Sequence, residues 1–316
     1  MYYSKPSTHP RTLEDRLAVL DLGSNTFHLL IVEKHDEAPG FKELYRERQF
    51  IYIASEGLEQ IPSGKIQDAV ICLRNFKSRC DYFSVQNIRV IATEALRSAG
   101  NAEEVLEKFN EALGQEVEII EGKREAELIF KGTSLLDFKF DKPALIMDIG
   151  GGSVELIVFN EKQILFAHSY QAGISVLRND NKISEPPKKM EIHDIHVMLA
   201  KMMEDFLAFA KSLDISYLVG SSGPFEIIES IQGDEGRSKG NVYSRSLYQS
   251  IAREVLSKNA EERARIDGMP LQRASLSKEA FLLIEFIMSQ IKGIDTLVVS
   301  PFALKEGVIA EEFKLD

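Results

Sequence analysis

Two short segments of nearly the same form, DLGSNT at residues 21–26 and DIGGGS at residues 148–153, constrain this chain more than any other feature. Each follows an apolar run, residues 17–20 and 144–147, and each leads into a second apolar run. An apolar run, a turn of small residues and another apolar run predict two paired strands joined by a tight turn. The repetition indicates that one structural plan occurs twice in the chain.

The elements expected around the two turns recur in one order. In the first half, periodicity predicts strands at residues 17–22, 27–33 and 45–53, a helix at 66–83, a strand at 88–92, a helix at 103–113, a strand at 117–120 and a helix at 125–136. In the second half, it predicts strands at residues 144–149, 154–160 and 164–170, a helix at 190–213, a strand at 217–219, further helices that include one at 278–291, a strand at 296–300 and a helix at 303–313.

This order predicts an α/β protein with two duplicated domains, each built on a mixed sheet, that face each other across a cleft. The polar segment at residues 139–143 is the natural boundary. We therefore expect a first domain at residues 1–138 and a second at residues 139–299. The C-terminal strand and helix, about residues 300–316, are expected to pack back on the first domain.

The length and composition of the chain limit the kinds of molecule that it can bind. The 316 residues fit two domains of roughly 150 residues each. With 38 Lys and Arg against 49 Asp and Glu, the formal charge of −11 argues against a broad contact with DNA or RNA, but not against a local pocket for an anion. No apolar run is long enough for a membrane span or a secretion signal. Cys72 and Cys80 fit neither a metal site nor a disulfide framework, so we expect a cytoplasmic protein.

The two turns carry the donors that a phosphate group needs. Glycines lack a Cβ, so backbone N–H groups can approach an anion closely, and successive N–H groups form an anion nest. One such loop alone is equally well explained as an ordinary hairpin turn, but two matched loops favour phosphate binding. The predicted phosphate-binding residues are Gly23, Ser24, Asn25, Thr26, Gly150, Gly151, Gly152 and Ser153.

Carboxylates stand beside both loops. Asp21 and Asp148 end apolar strands, where an unpaired carboxylate is costly to bury, and Glu155 lies on the return strand of the second hairpin. A hard cation such as Mg²⁺ would offset this cost. We therefore predict Asp148, Glu155 and Asp21 as metal ligands. Hydrogen bonding of either aspartate to the amides of the opposite loop remains the alternative.

Four segments carry a specific resemblance: DLGSNTFHLLIV, IATEALR at residues 91–97, VEIIEGKREAELIFKG at 117–132 and LIMDIGGGSVELIVF. In order and spacing they resemble the exopolyphosphatase / guanosine pentaphosphate phosphohydrolase (Ppx/GppA) family, a branch of the actin, sugar-kinase and chaperone-ATPase superfamily. VGSSGPFE at 219–226 and SPFALKEGVI at 300–309 match more weakly. The resemblance implies ribonuclease H-like (actin-like ATPase) domains and Mg²⁺-dependent hydrolysis of a terminal phosphoanhydride in polyphosphate or in pppGpp.

The resemblance also implies roles for single residues. Glu125 matches the catalytic glutamate that orients the attacking water, with Glu155 beside the metal, and Arg97 matches an arginine able to grip phosphate oxygens. From the residues alone, Glu125 is better explained as a glutamate favoured at a helix N-terminus, and Arg97 is also explained as a surface arginine that starts a helix. His28 matches the histidine that follows the first loop, although its side chain would also be explained by strand alternation.

The chain departs from the family pattern at named positions. Arg124 stands where the family has a second acid, and Lys305 where it often has arginine. Arg124 and Lys123 would bind substrate phosphates or lower the basicity of Glu125; the other basic residues expected near the site are Arg97 and Lys131. Longer members carry a further C-terminal helical domain, so we expect a short two-domain form.

Three readings of function stay open at this point. The leading one is hydrolysis of polyphosphate or pppGpp, with polyphosphate favoured because no residue that would read guanine can be named. The second is an ATP-dependent kinase or ATPase on the same scaffold, with residues 219–226 at the place where such kinases bind adenosine. The third is a non-catalytic sensor of (p)ppGpp. The expected partner is an anionic phosphate compound, without nucleic acid or membrane, and a homodimer is possible.

Overall fold

The computed structural model describes residues 15–233 and 240–315. The first half contains β1 (Arg16–Leu22), β2 (Thr26–Lys34), β3 (Phe41–Phe50), α1 (Ser63–Tyr82), β4 (Asn87–Ala92), α2 (Glu94–Ser98), α3 (Ala102–Leu113), β5 (Glu118–Ile119) and α4 (Gly122–Thr133). The second half contains β6 (Ala144–Ile149), β7 (Val154–Asn160), β8 (Gln163–Tyr170), α5 (Ile174–Asp180), α6 (Lys189–Met202), α7 (Glu204–Ala210), β9 (Tyr217–Ser221), α8 (Gly223–Gln232), β10 (Asn241–Ser244), α9 (Arg245–Leu256), α10 (Ala260–Arg263), α11 (Leu271–Ala274), α12 (Ser277–Gln290), β11 (Thr296–Val299) and α13 (Leu304–Phe313).

The two sheets repeat one topology. The five-stranded sheet has the order β3-β2-β1-β4-β5, with β1, β2 and β3 antiparallel and β1, β4 and β5 parallel. In the six-stranded sheet, β8-β7-β6-β9-β11 has the same order and directions, and β10 adds an antiparallel edge strand. The predicted fold class, two duplicated ribonuclease H-like domains with mixed sheets, is therefore confirmed.

The central strands of both sheets are buried on both faces. In β6, every residue from Ala144 to Ile149 is buried, and four successive residues of β1 (17–20) are fully buried. Such continuous apolar runs are expected of strands covered on both sides, which explains why the sequence shows runs here instead of alternation. One apolar cluster lies on the outer side of each sheet, and a third, with residues from both halves of the chain, lies between the sheets.

Helices α4 and α13 follow the equivalent strands β5 and β11, and they pack against each other between the two sheets. Their backbones meet at two glycines. A Cβ on Gly132 would lie 2.1 Å from the carbonyl oxygen of Ala303, and a Cβ on Gly307 would lie 1.8 Å from that of Leu128. Only glycine permits this approach. The last turn of α4 lies beside the first turn of α13, and Arg124 in the first turn of α4 pairs with Glu311 near the end of α13, so the two helices run antiparallel.

Several predicted boundaries are wrong. The helix predicted at residues 190–213 is two helices, because fully buried Met203 leaves helical geometry, with φ −107° and ψ 27°. The strand predicted at 45–53 ends at Phe50, because the N–H groups of Ile51 and Tyr52 both donate to the carbonyl oxygen of Asn25. The short elements α2, α5 and β10 were not predicted.

The last strand and the last helix belong to different parts of the fold. Strand β11 pairs with β9 and β10 in the six-stranded sheet, so the expectation that the last strand packs on the first domain is wrong for the strand. Helix α13 contacts α4 and β1, and Glu312 on this helix forms an ion pair with Arg89 on β4. Helix α4 in turn contacts β7 and β8 of the six-stranded sheet. The residue boundaries proposed for the two domains stay a prediction.

Candidate active site

A cavity lies where the two sheets face each other, and both Gly-rich loops line it. It encloses about 1250 Å³, counting the solvent at its mouth. All eight residues predicted to bind phosphate line this cavity, together with Asp21, Asp148, Glu125 and Glu155. Arg97 is the exception among the predicted site residues. The two loops, more than a hundred residues apart in the chain, therefore meet in one place.

The loops are closed by the same hydrogen bond and touch each other. The N–H of Gly23 donates to the carbonyl oxygen of Thr26 at 3.1 Å, and the N–H of Gly150 donates to that of Ser153 at 2.9 Å. A Cβ on Gly151 would lie 2.6 Å from Cγ of Asn25. The absence of side chains in the second loop thus lets the first loop lie directly against it.

Helix α5 fixes the second loop from behind. The N–H groups of Ile174 and Ser175 donate to the carbonyl oxygens of Gly150 and Gly151 at 3.0 and 2.8 Å. Ser175 Oγ also donates to Asn25 Oδ1 at 2.7 Å, which ties the side chain of the first loop to the same helix. The peptide groups and the asparagine side chain are therefore held before any ligand binds.

Strand register aligns polar side chains across each sheet. In the five-stranded sheet, Asp21 pairs directly with His28, and His28 with Arg48. In the six-stranded sheet, Asp148 pairs directly with Glu155. Directly paired residues of antiparallel strands project on the same face, so each row faces the cavity as a unit. This settles the open question about His28: its side chain lines the cavity.

Burial and mutual repulsion change the ionisation of the carboxylates. Burial, with a contribution from Asp148, raises the pKa of Glu155 to about 7. Burial also raises the pKa of Asp21 to about 6; Lys305, whose Nζ lies 3.9 Å from Asp21 Oδ2, opposes this rise. Burial raises the pKa of Asp148, while hydrogen bonds such as that from Ser221 Oγ at 2.8 Å oppose the rise. If Asp21, Asp148 and Glu155 were all ionised, the nearby positive charges and hydrogen-bond donors would not balance their negative charge.

Glu125 lies in the first turn of α4 and is 6% exposed. Burial, followed by the charge of Glu155, raises its pKa well above the usual range, and Arg97 opposes that rise. Arg97 Nη1 donates to Glu125 Oε2 at 3.2 Å and to the carbonyl oxygen of Ile120 at 2.6 Å, and Nη2 contacts Glu94. A carboxylate with a raised pKa is a stronger base, and this one has a fixed orientation.

Arg97 is thus placed differently from what its resemblance implies. Its guanidinium is engaged by two carboxylates and a carbonyl group, and it does not line the cavity. The contacts favour a role in positioning Glu125 over direct contact with phosphate. Arg124 and Lys131 both pair with Glu311 on α13, and neither lines the cavity.

The sequence analysis missed most of the positive charge in the cavity. The basic side chains that line it are Arg46, Arg48, Arg273 and Lys305. Arg46 and Arg48 alternate along β3, and this spacing of two was a readable signal that both project on one face. Arg273 follows no motif, so only the tertiary structure reveals it. Burial, followed by the charges of Lys305 and Arg48, holds the pKa of His28 well below its usual range, so its imidazole is neutral.

Three buried or partly buried carboxylates of the cavity, those of Asp21, Asp148 and Glu155, are the candidates for binding Mg²⁺. Within residues 15–233 and 240–315, no group of three or more His, Cys, Asp or Glu side chains is arranged to hold a metal ion by itself. The assignment of Asp148, Glu155 and Asp21 as metal ligands stays a prediction. Mg²⁺ commonly takes only one or two carboxylates and completes its shell with water and substrate phosphates. The buried pair Asp148 and Glu155 fits that requirement.

The duplicated sheet order and the paired loops define a two-domain α/β protein of the ribonuclease H-like class. Residues 30–315 match the model of the Ppx/GppA phosphatase family, and the chain belongs to this family. No helix in the part of the chain that the structure describes is both long and apolar enough to cross a membrane.

Named relatives agree with this assignment. The chain is 27% identical over 301 residues to the guanosine-5'-triphosphate,3'-diphosphate pyrophosphatase of Aeromonas hydrophila, covering 92% of this chain and 58% of that protein. With the corresponding protein of Vibrio campbellii it shares 28% over 295 residues, 93% of this chain and 58% of the relative. The chain thus spans 58% of the length of these curated relatives.

Among solved structures, an exopolyphosphatase from Cytophaga hutchinsonii is similar with a TM-score of 0.88 and 27% identity, over 95% of this chain and 98% of that chain. The Aquifex aeolicus PPX-GPPA enzyme has the same fold, with a TM-score of 0.77 at 22% identity over 94% of this chain and 99% of that one.

Proposed function

We propose that this protein hydrolyses a terminal phosphoanhydride bond and releases orthophosphate from inorganic polyphosphate or from pppGpp. The observation that carries the proposal is the position of Glu125, a buried carboxylate with a raised pKa that lines one cavity with both Gly-rich loops. The relatives named above, an exopolyphosphatase and guanosine-5'-triphosphate,3'-diphosphate pyrophosphatases, support the same chemistry.

In the proposed reaction, Glu125 accepts a hydrogen bond from a water molecule aligned with the terminal phosphorus. The water oxygen forms the new bond to phosphorus, the bridging P–O bond breaks, and the water proton passes to Glu125. Backbone N–H groups of the loops at residues 23–26 and 150–153, with the hydroxyl groups of Ser24 and Ser153, hold the transferred phosphoryl group. Arg97 keeps Glu125 in position.

Mg²⁺ is the proposed cofactor. Asp148 and Glu155 would hold it, and its charge would offset that of the phosphate oxygens. Without such a charge, Glu155 retains a proton near neutral pH, because burial raises its pKa to about 7. Lys305 already supplies a positive charge close to Asp21, so we assign Asp21 to the loop rather than to the metal.

The cavity favours a phosphate chain over ATP. A Cβ on Gly223 would lie 2.2 Å from Nη1 of Arg273, so the guanidinium occupies the space above the segment at residues 219–226. Glu226 on the same segment accepts a hydrogen bond from Arg273 at 2.7 Å. The Arg273 guanidinium suits the oxygens of a phosphate chain, although apolar residues such as Ile227 and Leu276 also line the cavity. The parallel assay with ATP therefore decides between the hydrolase and the kinase alternative.

The proposal is tested by measuring phosphate release in Mg²⁺ from long-chain polyphosphate, pppGpp and ATP in parallel, each with and without EDTA. We expect Mg²⁺-dependent release from polyphosphate or pppGpp, faster than from ATP, and the faster of the two identifies the substrate. Release from ATP alone would favour the ATPase alternative. Tight binding of pppGpp without release from any compound would favour the sensor.

A further inference from the structure

We propose that Glu226 is a specificity-determining residue: its carboxylate occupies the guanidinium groups of Arg48 and Arg273, and the distal part of a phosphate chain must displace it in order to bind there. This inference rests on the proposed function, because it concerns how the same cavity accepts a polyanion. In the absence of substrate, the Glu226 carboxylate occupies the place where an anionic ligand would bind.

The contacts of Glu226 are those of a bound anion. Arg48 Nη1 donates to Glu226 Oε2 at 2.9 Å and Nη2 donates to Oε1 at 2.8 Å, a two-bond fork. Arg273 Nη2 donates to Oε2 at 2.7 Å. Paired N–H groups of a guanidinium match carboxylate and phosphate oxygens alike, so these two arginines form a site that either anion can fill.

Both arginines belong to the cavity and come from different parts of the fold. Arg48 lies on β3 of the five-stranded sheet, whereas Glu226 lies on α8 and Arg273 on α11, next to the six-stranded sheet. Nη1 of Arg273 is buried and makes no hydrogen bond within the described residues. The guanidinium pair thus has a donor that Glu226 leaves unused, which a larger anion with more oxygens would satisfy.

The carboxylate is poised for exchange. The side chain of Glu226 is 41% exposed, in contrast to the 12% of Arg273, so it can leave without opening the core. Partial burial alone would raise its pKa, but the hydrogen bonds from Arg48 and the charge of Arg273 hold the pKa of Glu226 below its usual range, so it is an anion. Its charge cancels one of the two positive charges offered to a ligand.

The position of the pair predicts which ligands meet it. In the register of the sheet, Arg48 is two strands away from Asp21, at roughly 10 Å for strands about 4.8 Å apart. A single phosphate held by the loop beside Asp21 does not reach that far, whereas a long phosphate chain does. Glu226 therefore weakens the binding of anions long enough to reach from the loops to the guanidinium pair, and it leaves the binding of orthophosphate at the loops unchanged.

The test compares wild type with Glu226→Gln, which keeps the shape and removes the charge. Calorimetry in Mg²⁺ measures the binding of orthophosphate and of long-chain polyphosphate, in a Glu125→Gln background that prevents turnover. We expect Glu226→Gln to bind polyphosphate about tenfold more tightly, since no carboxylate then competes for the two guanidinium groups, and to bind orthophosphate at the loops as before.

Glu118→Gln is the matched control, because it changes the net charge equally and removes one of the two carboxylates paired with Arg89, which does not line the cavity. Equal or weaker polyphosphate binding by Glu226→Gln, an equal gain in Glu118→Gln, or no binding by either variant would overturn the inference. Binding is measured in the Glu125→Gln background and turnover in protein that retains Glu125, so the two results are independent. Binding as expected without any hydrolysis by the protein that retains Glu125 would refute the proposed function and leave this inference standing.

Discussion

Arg97 and Glu125 form one unit: Nη1 of the arginine donates to Oε2 of the glutamate at 3.2 Å and to the carbonyl oxygen of Ile120 at 2.6 Å. The carbonyl belongs to the segment that leads from β5 into α4, so the guanidinium joins the glutamate to the backbone that carries it. This arrangement restricts the carboxylate to one direction. It also makes the ionisation of Glu125 depend on Arg97.

Arg97→Lys is expected to lower kcat at least tenfold with little change in KM. A single ammonium group does not reproduce contacts with Glu125, Glu94 and a carbonyl oxygen at once. Steady-state kinetics on the substrate found active measures both constants. A large rise in KM at unchanged kcat would instead indicate that Arg97 grips phosphate, as its resemblance implies.

Arg97→Gln is expected to move the acidic limb of the rate profile to higher pH. Arg97 opposes the rise in the pKa of Glu125, so removing its charge raises that pKa further, and the base is then ionised only at higher pH. For wild type, kcat should fall as pH decreases through the raised pKa of Glu125. Initial rates at saturating substrate across pH 5–9 check both statements, and an unshifted limb in the variant would contradict them.

Asp21→Asn is expected to be more stable than wild type at pH 8, by a smaller margin at pH 5, and equal to it only below the unfolded pKa of 3.8. The folded state holds a proton on Asp21 up to a pKa of about 6, whereas the unfolded chain releases it near 3.8, so the free energy of unfolding falls as pH rises between these values. The gain should be on the order of 1–3 kcal/mol. Urea unfolding in EDTA measures it, and a difference independent of pH would argue against this account.

Gly307→Ala is expected to lower the free energy of unfolding by about 1–3 kcal/mol or more, because the new Cβ would lie 1.8 Å from the carbonyl oxygen of Leu128 in α4. Gly64→Ala on α1 is the matched control, since its Cβ would meet no heavy atom of the described residues within 4 Å. The control should be neutral or slightly stabilising. Equal effects of the two substitutions in urea unfolding would mean that the helix crossing is not tight.

Arg124→Gln is expected to leave kcat and KM within about twofold of wild type. Arg124 departs from the family pattern, but it pairs with Glu311 on α13 and does not line the cavity. Both side chains are about one third exposed, so the pair contributes less than about 1 kcal/mol. Steady-state kinetics measure kcat and KM, and urea unfolding measures the contribution of the pair to stability. A marked rise in KM would restore the alternative that Arg124 binds substrate.

The sequence contained enough to predict the fold and the inner part of the site. Both hairpins and their loops follow from apolar runs and small residues, and the internal repetition explains why the two loops meet. The basic side chains of the cavity could not be predicted from the sequence in the same way. The spacing of Arg46 and Arg48 predicts that they share one face of β3, but only the sheet order, with β3 beside β2, places that face in the cavity. Arg273 reaches the cavity from a short helix with no motif.

Helix ends and breaks were also beyond the sequence pattern. The apolar spacing at residues 190–213 continues through Met203, so nothing local announces that α6 stops and α7 starts there. Similarly, β3 ends because Asn25 of the loop accepts the next two N–H groups, a contact between segments that are distant in sequence. Tertiary packing and long-range hydrogen bonds decide such details, and local periodicity does not contain them.

The central claim is that Glu125 is the base in phosphoanhydride hydrolysis, and Glu125→Gln tests it most directly. Turnover and polyphosphate binding are measured on the same preparation, with Glu127→Gln, a 43% exposed neighbour on α4, as the control. The account predicts a loss of about 10²–10⁴-fold in kcat with binding retained, and an active control. Turnover by Glu125→Gln at the rate of the control would contradict it.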